Sequence, residues 1–210
     1  MQTMDLKTQY KYLFTASAKI PALVDVPRLK FLRVDGAIEP GHTPGDSPLF
    51  MENMQALYGA AYTLKFMLKQ RADNPLDYPL MALEGLWWVE DNRFDIQVKD
   101  NWFYTLQILL PEVITAEAFA AGLQALRKKR GSQPAFERLR LEEFEEGRCV
   151  QMMHIGPYAS EPATVAKMEA FAAANGLRFQ RMHHEIYLGD PRRADASRLK
   201  TILRHPVTGL

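Results

Sequence analysis

The sequence predicts an α+β fold made of two similar halves. Short β-prone runs alternate with amphipathic helical runs, and the second half follows nearly the same order of elements as the first. The link between the halves, residues 131–134, is too short to act as a free tether. We therefore expect antiparallel strands, covered by helices, in halves that share one sheet or one cleft.

The composition is that of a folded domain with almost no net charge. The 210 residues include 26 Lys and Arg against 25 Asp and Glu, so the formal charge is 26 − 25 = +1. Apolar residues make up 47% of the chain, whereas a disordered chain is poorer in apolar and aromatic residues. The near-neutral charge excludes a protein dominated by a nucleic-acid-binding field.

The single cysteine and the first ten residues favour a reducing compartment. Cys149 has no second cysteine for an internal disulfide, and residues 1–10 lack a basic stretch followed by an apolar one. No window approaches the roughly 18 uninterrupted apolar residues that span a bilayer. We expect a cytoplasmic protein that does not enter a membrane and does not contact nucleic acid directly.

Helix caps and apolar periodicity outline the first half. Pro21 and Pro27 are expected to break regular structure, because proline disfavours a helical residue before it. The predicted elements are a short helix at 5–14, a strand at 31–34, a helix at 48–70, strands at 81–90 and 102–110, and a helix that begins at Thr115 and ends at Gly131.

The second half is outlined in the same way. The predicted elements are strands at 136–144 and 149–155 joined by a hairpin at 145–147, a helix from Pro162 to Asn175, a strand at 184–188, and a last helix that Asp195 caps.

The strongest candidate site lies on the strand near residue 185. Side chains alternate along a strand, so His183, Glu185 and Tyr187 share one face, while Ile186 and Leu188 face the helices. The polar face is directed either to solvent, which is usual for a strand glutamate, or to a cleft between the halves.

The pair His183-His184 does not predict a metal site. Neighbouring strand residues face opposite sides, and no further Cys or His group lies at ligand spacing. Neither a metal nor another cofactor is therefore expected.

Other candidates combine rings with titratable groups. Glu84 and Trp88 share one strand face and Trp87 takes the other, with core packing as the alternative for each indole. Tyr62 lies beside the apolar stripe of its helix, where its hydroxyl could reach the edge of a pocket. His154 is either an acid or base near neutral pH or a hydrogen-bonded strand residue.

Five stretches together resemble the stand-alone GyrI-like small-molecule-binding proteins. They occur in the order of that family between about residues 27 and 207, and Gly189 stands where the motif usually has serine. The stretches are 61–66, 79–88, 151–158, 184–193 and 201–207.

The resemblance implies a duplicated fold around a central ligand cleft with a pseudo-twofold axis. It divides the chain into an N-terminal extension, residues 1–26, and a GyrI-like domain, residues 27–207. The two halves of that domain are expected at about 27–130 and 135–207.

The resemblance also implies a function. Relatives recognise cationic, lipophilic ligands through an acidic residue among aromatic rings, and stand-alone members are similar to enzymes that hydrolyse the strained cyclopropane of DNA-alkylating compounds. Glu185 matches the acidic position and is the expected catalytic residue. The expected ligand-binding residues are Tyr62, Glu84, Trp87, Trp88, His154, Tyr158 and Tyr187.

Two other functions follow from the same resemblance. The first is a non-catalytic protein that binds, sequesters or senses such ligands. The second is contact with DNA gyrase, which follows from the family name alone and is not expected, because no residue pattern marks a protein-binding surface.

Overall fold

Six strands close into an antiparallel barrel in the computed structural model, which describes residues 2–90, 102–180, 182–191 and 193–209. The described strands are β1 (Gln2–Thr3), β2 (Ala22–Ala37), β3 (Leu76–Asp77), β4 (Leu83–Trp88), β5 (Phe103–Leu109), β6 (Arg140–Ile155), β7 (Leu177–Phe179), β8 (His183–Tyr187) and β9 (Lys200–Gly209). The described α-helices are α1 (Leu6–Gln9), α2 (Pro48–Lys69), α3 (Ala116–Arg130), α4 (Pro134–Glu137) and α5 (Glu161–Ala174).

The barrel follows the order β6-β2-β5-β4-β8-β9, and pairing of β9 with β6 closes it. The short β7 pairs with the end of β9, while β1 and β3 form a separate parallel pair. Closure satisfies the backbone groups on both sides of each barrel strand. A barrel of six strands is filled by its own side chains, so the helices pack on its outside.

The barrel consists of two units with the same topology. The first unit has the strand order β2-β5-β4 with α2 between β2 and β4, and the second has β6-β9-β8 with α5 between β6 and β8. The units join where β2 pairs with β6 and where β4 pairs with β8. The predicted α+β fold of two similar halves is confirmed, whereas the boundaries at 27, 130, 135 and 207 stay predictions.

The two long helices of the first unit begin where the sequence predicts them, and Thr115 is the predicted cap of the second. The Ser47 hydroxyl accepts a hydrogen bond from the Phe50 N–H at 3.0 Å, and the Thr115 hydroxyl accepts one from the Ala118 N–H at 3.2 Å. The apolar stripe of α2 faces the barrel. Its large buried side chains are Phe50, Leu57, Leu64 and Leu68.

The residues before β2 cover part of the barrel. The backbone carbonyl of Leu13 accepts a hydrogen bond from Arg204 Nη2 at 2.7 Å, and the carbonyl of Tyr12 accepts one from Gln151 Nε2 at 2.7 Å. Leu13 and Phe14 are buried in the core. This N-terminal segment therefore packs against the barrel that follows it.

The expected break at Pro27 is wrong. Strand β2 continues through this residue and pairs with β6 from Ala22 to Arg33. Val26 and Arg28 keep their partners Gly147 and Glu145 on either side. Proline has no N–H to donate, so it removes one rung of the ladder and the long pairing persists.

The hairpin predicted at residues 145–147 is also wrong. These residues lie inside the single strand β6, which runs beside β2 without reversing direction. Gly147 adopts a φ of 74°, so the glycine that suggested a turn accommodates an irregular point in a long strand. The pairing with β2 therefore keeps these residues in a strand despite their turn-like composition.

The predicted last helix is a strand. Asp195 caps only a single 3-10 turn, Ala196–Arg198, and the next residues form β9. Ile202 and Leu203 thus lie in a strand that pairs with β6 on one side and β8 on the other. Tertiary pairing overrides the helical spacing of these apolar residues.

Replacing Gly147 with alanine tests the strained point in β6. No heavy atom lies within 4 Å of a Cβ at this position, so the cost comes from the positive φ alone. We expect Gly147→Ala to lower the free energy of unfolding by about 1–2 kcal/mol in chemical denaturation. The control, Gly45→Ala, lies in a loop where the nearest atom is 3.8 Å away, and it should leave stability unchanged or raise it slightly. Equal effects of the two substitutions would contradict the assignment.

Candidate functional site

Strand β8 carries titratable side chains on both of its faces. His183, Glu185 and Tyr187 face the outside of the barrel, and we call them, with Glu161 from α5, the outer cluster. His184 points to the barrel interior, where it lies in contact with Glu84 and Glu146. The predicted alternation thus separates two adjacent histidines into two different polar environments. The expectation that Ile186 faces the helices is wrong, because α5 lies over the face of His183 and Glu185 and Ile186 shares the opposite face with His184.

The outer cluster is built around the imidazole of His183. Its Nε2 lies 3.1 Å from Glu185 Oε1 and 3.6 Å from Glu161 Oε2. Its Nδ1 lies 2.8 Å from Nε2 of His205, whose ring stacks on Phe179 with a centroid distance of 4.2 Å. Glu161, His183 and Glu185 have only 1%, 4% and 5% of their surfaces exposed. Two carboxylates therefore share one buried imidazole.

Aromatic side chains lie beside these carboxylates. Trp87 Nε1 donates a hydrogen bond to the Tyr187 hydroxyl at 3.1 Å, and the ring of Tyr158 meets Tyr187 edge to face at 6.0 Å. Trp87 is buried, whereas both tyrosines are half-buried. The rings thus extend from the protein interior to the surface beside Glu185.

Gly85 makes the approach of these rings possible. It lies directly opposite Glu185 in the pairing of β4 with β8. A Cβ at Gly85 would lie 2.8 Å from Trp87 Nε1 and 2.9 Å from the Tyr187 hydroxyl oxygen. The absence of a side chain therefore allows the indole and the phenol to meet above β4.

The buried titratable groups shift one another's pKa values. Burial, together with the negative charge of Glu185, raises the pKa of Glu161 above its ordinary value. Burial alone would lower the pKa of His183, but the adjacent carboxylates of Glu161 and Glu185 outweigh it and raise that pKa. At neutral pH these shifts favour a neutral Glu161 and a positive His183 beside Glu185.

The two tyrosines stay protonated donors. Burial, followed by the charge of Glu185, raises the pKa of Tyr158 to about 12. The same two causes raise the pKa of Tyr187 well above its ordinary value. Each phenol therefore keeps an O–H that can donate to a ligand.

His154 supports the connection that leads into α5. Its Nδ1 lies 2.9 Å from the Thr164 hydroxyl, and its Nε2 lies 3.1 Å from the Ser160 hydroxyl. These contacts tie the end of β6 to the turn that carries Tyr158 and Glu161. His154 thus helps to position Tyr158 and Glu161.

A second group of charges fills the barrel interior. Glu84 Oε2 accepts a hydrogen bond from Gln107 at 2.8 Å and lies 3.1 Å from His184 Nε2. His184 Nδ1 lies 3.0 Å from Glu146, which also pairs with Arg204 at 3.4 Å. Burial raises the pKa of Glu146, but His184 and Arg204 outweigh it and lower that pKa. Glu84, Glu146, His184 and Arg204 form what we call the inner cluster.

The comparison with known families agrees with this architecture. A profile of the GyrI-like small molecule binding domain matches residues 47–207, which is most of the chain. The chain belongs to this family. The match begins after β2 and runs from α2 into β9, so it includes β8 with both of its faces.

Solved structures share the fold over nearly the whole length. An uncharacterized conserved protein from Listeria innocua is 38% identical, with a TM-score of 0.87, and the match covers 98% of this chain and 100% of that one. A hydrolase from the same organism is 37% identical, with a TM-score of 0.85, and the match covers 99% and 100% of the two chains. The C-terminal domain of EcmrR, 11% identical with a TM-score of 0.53 over 90% of this chain and 98% of that one, shares the fold alone. No curated protein matches the chain.

The GyrI-like domain brings together only some of the expected site residues. Trp87, Tyr158, Glu185 and Tyr187 lie together at the outer cluster. The others lie elsewhere: Glu84 is in the inner cluster, His154 is behind the turn into α5, Tyr62 is 48% exposed and stacked on Phe66, and Trp88 is stacked on Phe103. Their roles in ligand binding stay predictions.

Sequence reasoning missed Glu161 and His205. Glu161 looks like an ordinary acid in the first turn of a helix, where the helix dipole favours it. His205 follows a segment that was predicted to be helical. Both residues reach His183 only because α5 and β9 return to the same face of the barrel. No local sequence signal reports that return.

Three residues of the outer cluster could hold a metal ion. Glu161, His183 and Glu185 each offer one ligand atom, and these atoms lie within 4.8 Å of one another. Among the described residues, this is the group that combines at least three such donors. The spacing of residues in the sequence does not reveal this group, because the third ligand comes from a helix.

Replacing Gly85 with alanine tests the contact of rings beside Glu185. We expect the added methyl group to push Trp87 and Tyr187 apart, which changes the near-ultraviolet circular dichroism and costs about 1–3 kcal/mol of stability. Tyr187→Phe is the matched control, because it removes the hydrogen bond without adding volume. An unchanged aromatic spectrum in Gly85→Ala would show that the rings do not depend on this glycine.

Proposed function

We propose that the GyrI-like domain binds planar, hydrophobic ligands that are cationic or electrophilic, and that it adds water to those carrying a strained cyclopropane. The observation that carries the proposal is the buried carboxylate of Glu185, next to the indole of Trp87 and the phenols of Tyr158 and Tyr187. We place this activity in the cytoplasm, acting on small molecules without direct contact to nucleic acid or membrane. The lone cysteine, buried and not in a disulfide, supports that setting.

The arrangement suits a flat ligand with positive or electron-poor character. The carboxylate attracts positive charge, and the faces of the rings add roughly 0.5–2 kcal/mol for each cation–π contact. Burial strengthens the attraction, because the interior screens charge less than water does. The half-buried tyrosines mark the side from which a ligand would enter.

The same groups support addition of water. In the proposed reaction Glu185 takes a proton from water, the water oxygen bonds to the cyclopropane methylene, and one ring C–C bond breaks. The electron pair moves through the conjugated system to a carbonyl oxygen, which then accepts a proton. A hydrogen bond from the Tyr158 or Tyr187 hydroxyl stabilises the charge that grows on that oxygen.

Relatives support a hydrolytic role. Two structures from Listeria innocua that are named hydrolases are 37% and 36% identical to this chain and align over essentially their whole length. Their names do not specify a substrate, so the cyclopropane is our own assignment from the resemblance and from the geometry of the site.

Replacing Glu185 with glutamine tests the proposed base. We expect Glu185→Gln to slow water addition to a cyclopropane-bearing alkylator by about a hundredfold to ten-thousandfold, because the amide cannot accept the proton. Mass spectrometry of the products over time measures the rate. The control is Glu142→Gln, the same change at a carboxylate that pairs with Arg33 on another strand. Turnover by Glu185→Gln at the rate of the parent protein would contradict the proposed mechanism.

Non-catalytic binding is the second candidate function, because a carboxylate among aromatic rings also suits a receptor for lipophilic cations. It predicts saturable quenching of tryptophan fluorescence by tetraphenylphosphonium and recovery of the ligand unchanged. We expect Glu185→Gln to weaken this binding about tenfold through the loss of the negative charge. Binding without turnover of any cyclopropane compound would favour this function, and equal affinity of the variant and the parent would contradict both.

A further inference from the structure

The side chain of Glu161 is in an unusual position for a carboxylate. It is 1% exposed, and neither of its oxygens has a hydrogen-bond partner. Its Oε2 lies 3.6 Å from His183 Nε2, which is too far for a hydrogen bond. Buried carboxylates are normally paired or hydrogen-bonded, or they coordinate a metal, because leaving one unsatisfied is costly. The buried carboxylate of Glu161 therefore lacks the partner that such a group normally has.

The distances around that position suit one small ion. His183 Nε2 lies 3.1 Å from a Glu185 oxygen and 3.6 Å from a Glu161 oxygen. Ligand atoms about 2.0–2.2 Å from a tetrahedral zinc ion lie roughly 3.3–3.6 Å from one another. The three donors, which all fall within 4.8 Å, need only small rotations to reach a common ion.

The surroundings of His183 also suit a ligand. Its Nδ1 lies 2.8 Å from His205 Nε2, and stacking on Phe179 fixes the ring of His205. A metal-binding histidine usually donates the N–H of its other ring nitrogen to a fixed acceptor, which orients the ring. The contact with His205 thus leaves His183 Nε2 turned toward the two carboxylates.

We propose that Glu161, His183 and Glu185 form a divalent metal site that takes Zn²⁺. Two carboxylates and one neutral imidazole balance the charge of a divalent ion. The imidazole nitrogen favours Zn²⁺ over Mg²⁺ or Ca²⁺, which prefer oxygen ligands alone. Three protein ligands leave a fourth position for water or for an oxygen of a bound ligand.

The metal site does not depend on the proposed function. Zinc binding can be measured without any organic ligand, so it can succeed or fail whatever the domain hydrolyses. The two are linked only through Glu185, because an ion that holds this carboxylate competes with a lipophilic cation. We therefore expect Zn²⁺ to reduce the quenching by tetraphenylphosphonium.

The first experiment uses the full chain without substitution. After treatment with a chelator, titration calorimetry should show one Zn²⁺ per chain, bound at least a hundredfold more tightly than Mg²⁺. Co²⁺ in place of Zn²⁺ should give the intense visible absorption of a four-coordinate ion. Only the weak spectrum of hydrated Co²⁺, or equal affinities for Zn²⁺ and Mg²⁺, would overturn the proposal.

The second experiment separates this site from adventitious binding by other histidines. Glu161→Gln should weaken Zn²⁺ binding at least tenfold, whereas Glu142→Gln, with circular dichroism confirming the fold of both, should bind Zn²⁺ like the parent. Zinc affinity that is retained in Glu161→Gln would show that the ion binds elsewhere and would overturn the assignment.

Discussion

The rest of the structure depends on the pairing of β9 with β6. This contact converts an open run of strands into a barrel, and it brings β6 next to β9, the neighbour of β8. Without it β6 and β9 would each present an unpaired edge. Closure also holds α5 near β8, so that Glu161 meets His183. The chemistry of the outer cluster is thus a consequence of sheet closure.

Strand alternation then distributes the charge. His183 and His184 are adjacent in sequence, yet each lies between a different pair of glutamates on opposite faces of β8. In the inner cluster Arg204 and Gln107 complete the hydrogen bonds, which is typical of a structural network. The outer cluster instead leaves both oxygens of Glu161 without a hydrogen bond. This difference is the reason why we propose the outer face as the functional one.

The sequence was sufficient for the parts of this protein that local signals encode. Apolar spacing predicted the helix at 48–70, the cap Thr115 predicted the next long helix, and alternation placed Glu185 and Tyr187 on one face. It was insufficient where contacts between residues distant in sequence determine the local structure. At Gly147, for example, the pairing of β2 with β6 overrides the turn composition. Glu161 belongs to the same class, since only the folded chain brings it to His183. The order of elements predicted two similar halves, and the family resemblance pointed to Glu185 without its buried partners.

The two units of the barrel share a topology but contribute unlike chemistry to the site. The first provides Gly85, which leaves space, and the ring of Trp87. The second provides the ionisable groups of Glu161, His183 and Glu185. A symmetric pair of identical chains would have to place the same side chains on both sides of the axis. Joining the units in one polypeptide removes that restriction. The residues that each unit contributes to this site can therefore diversify independently, through substitutions confined to one half of the chain.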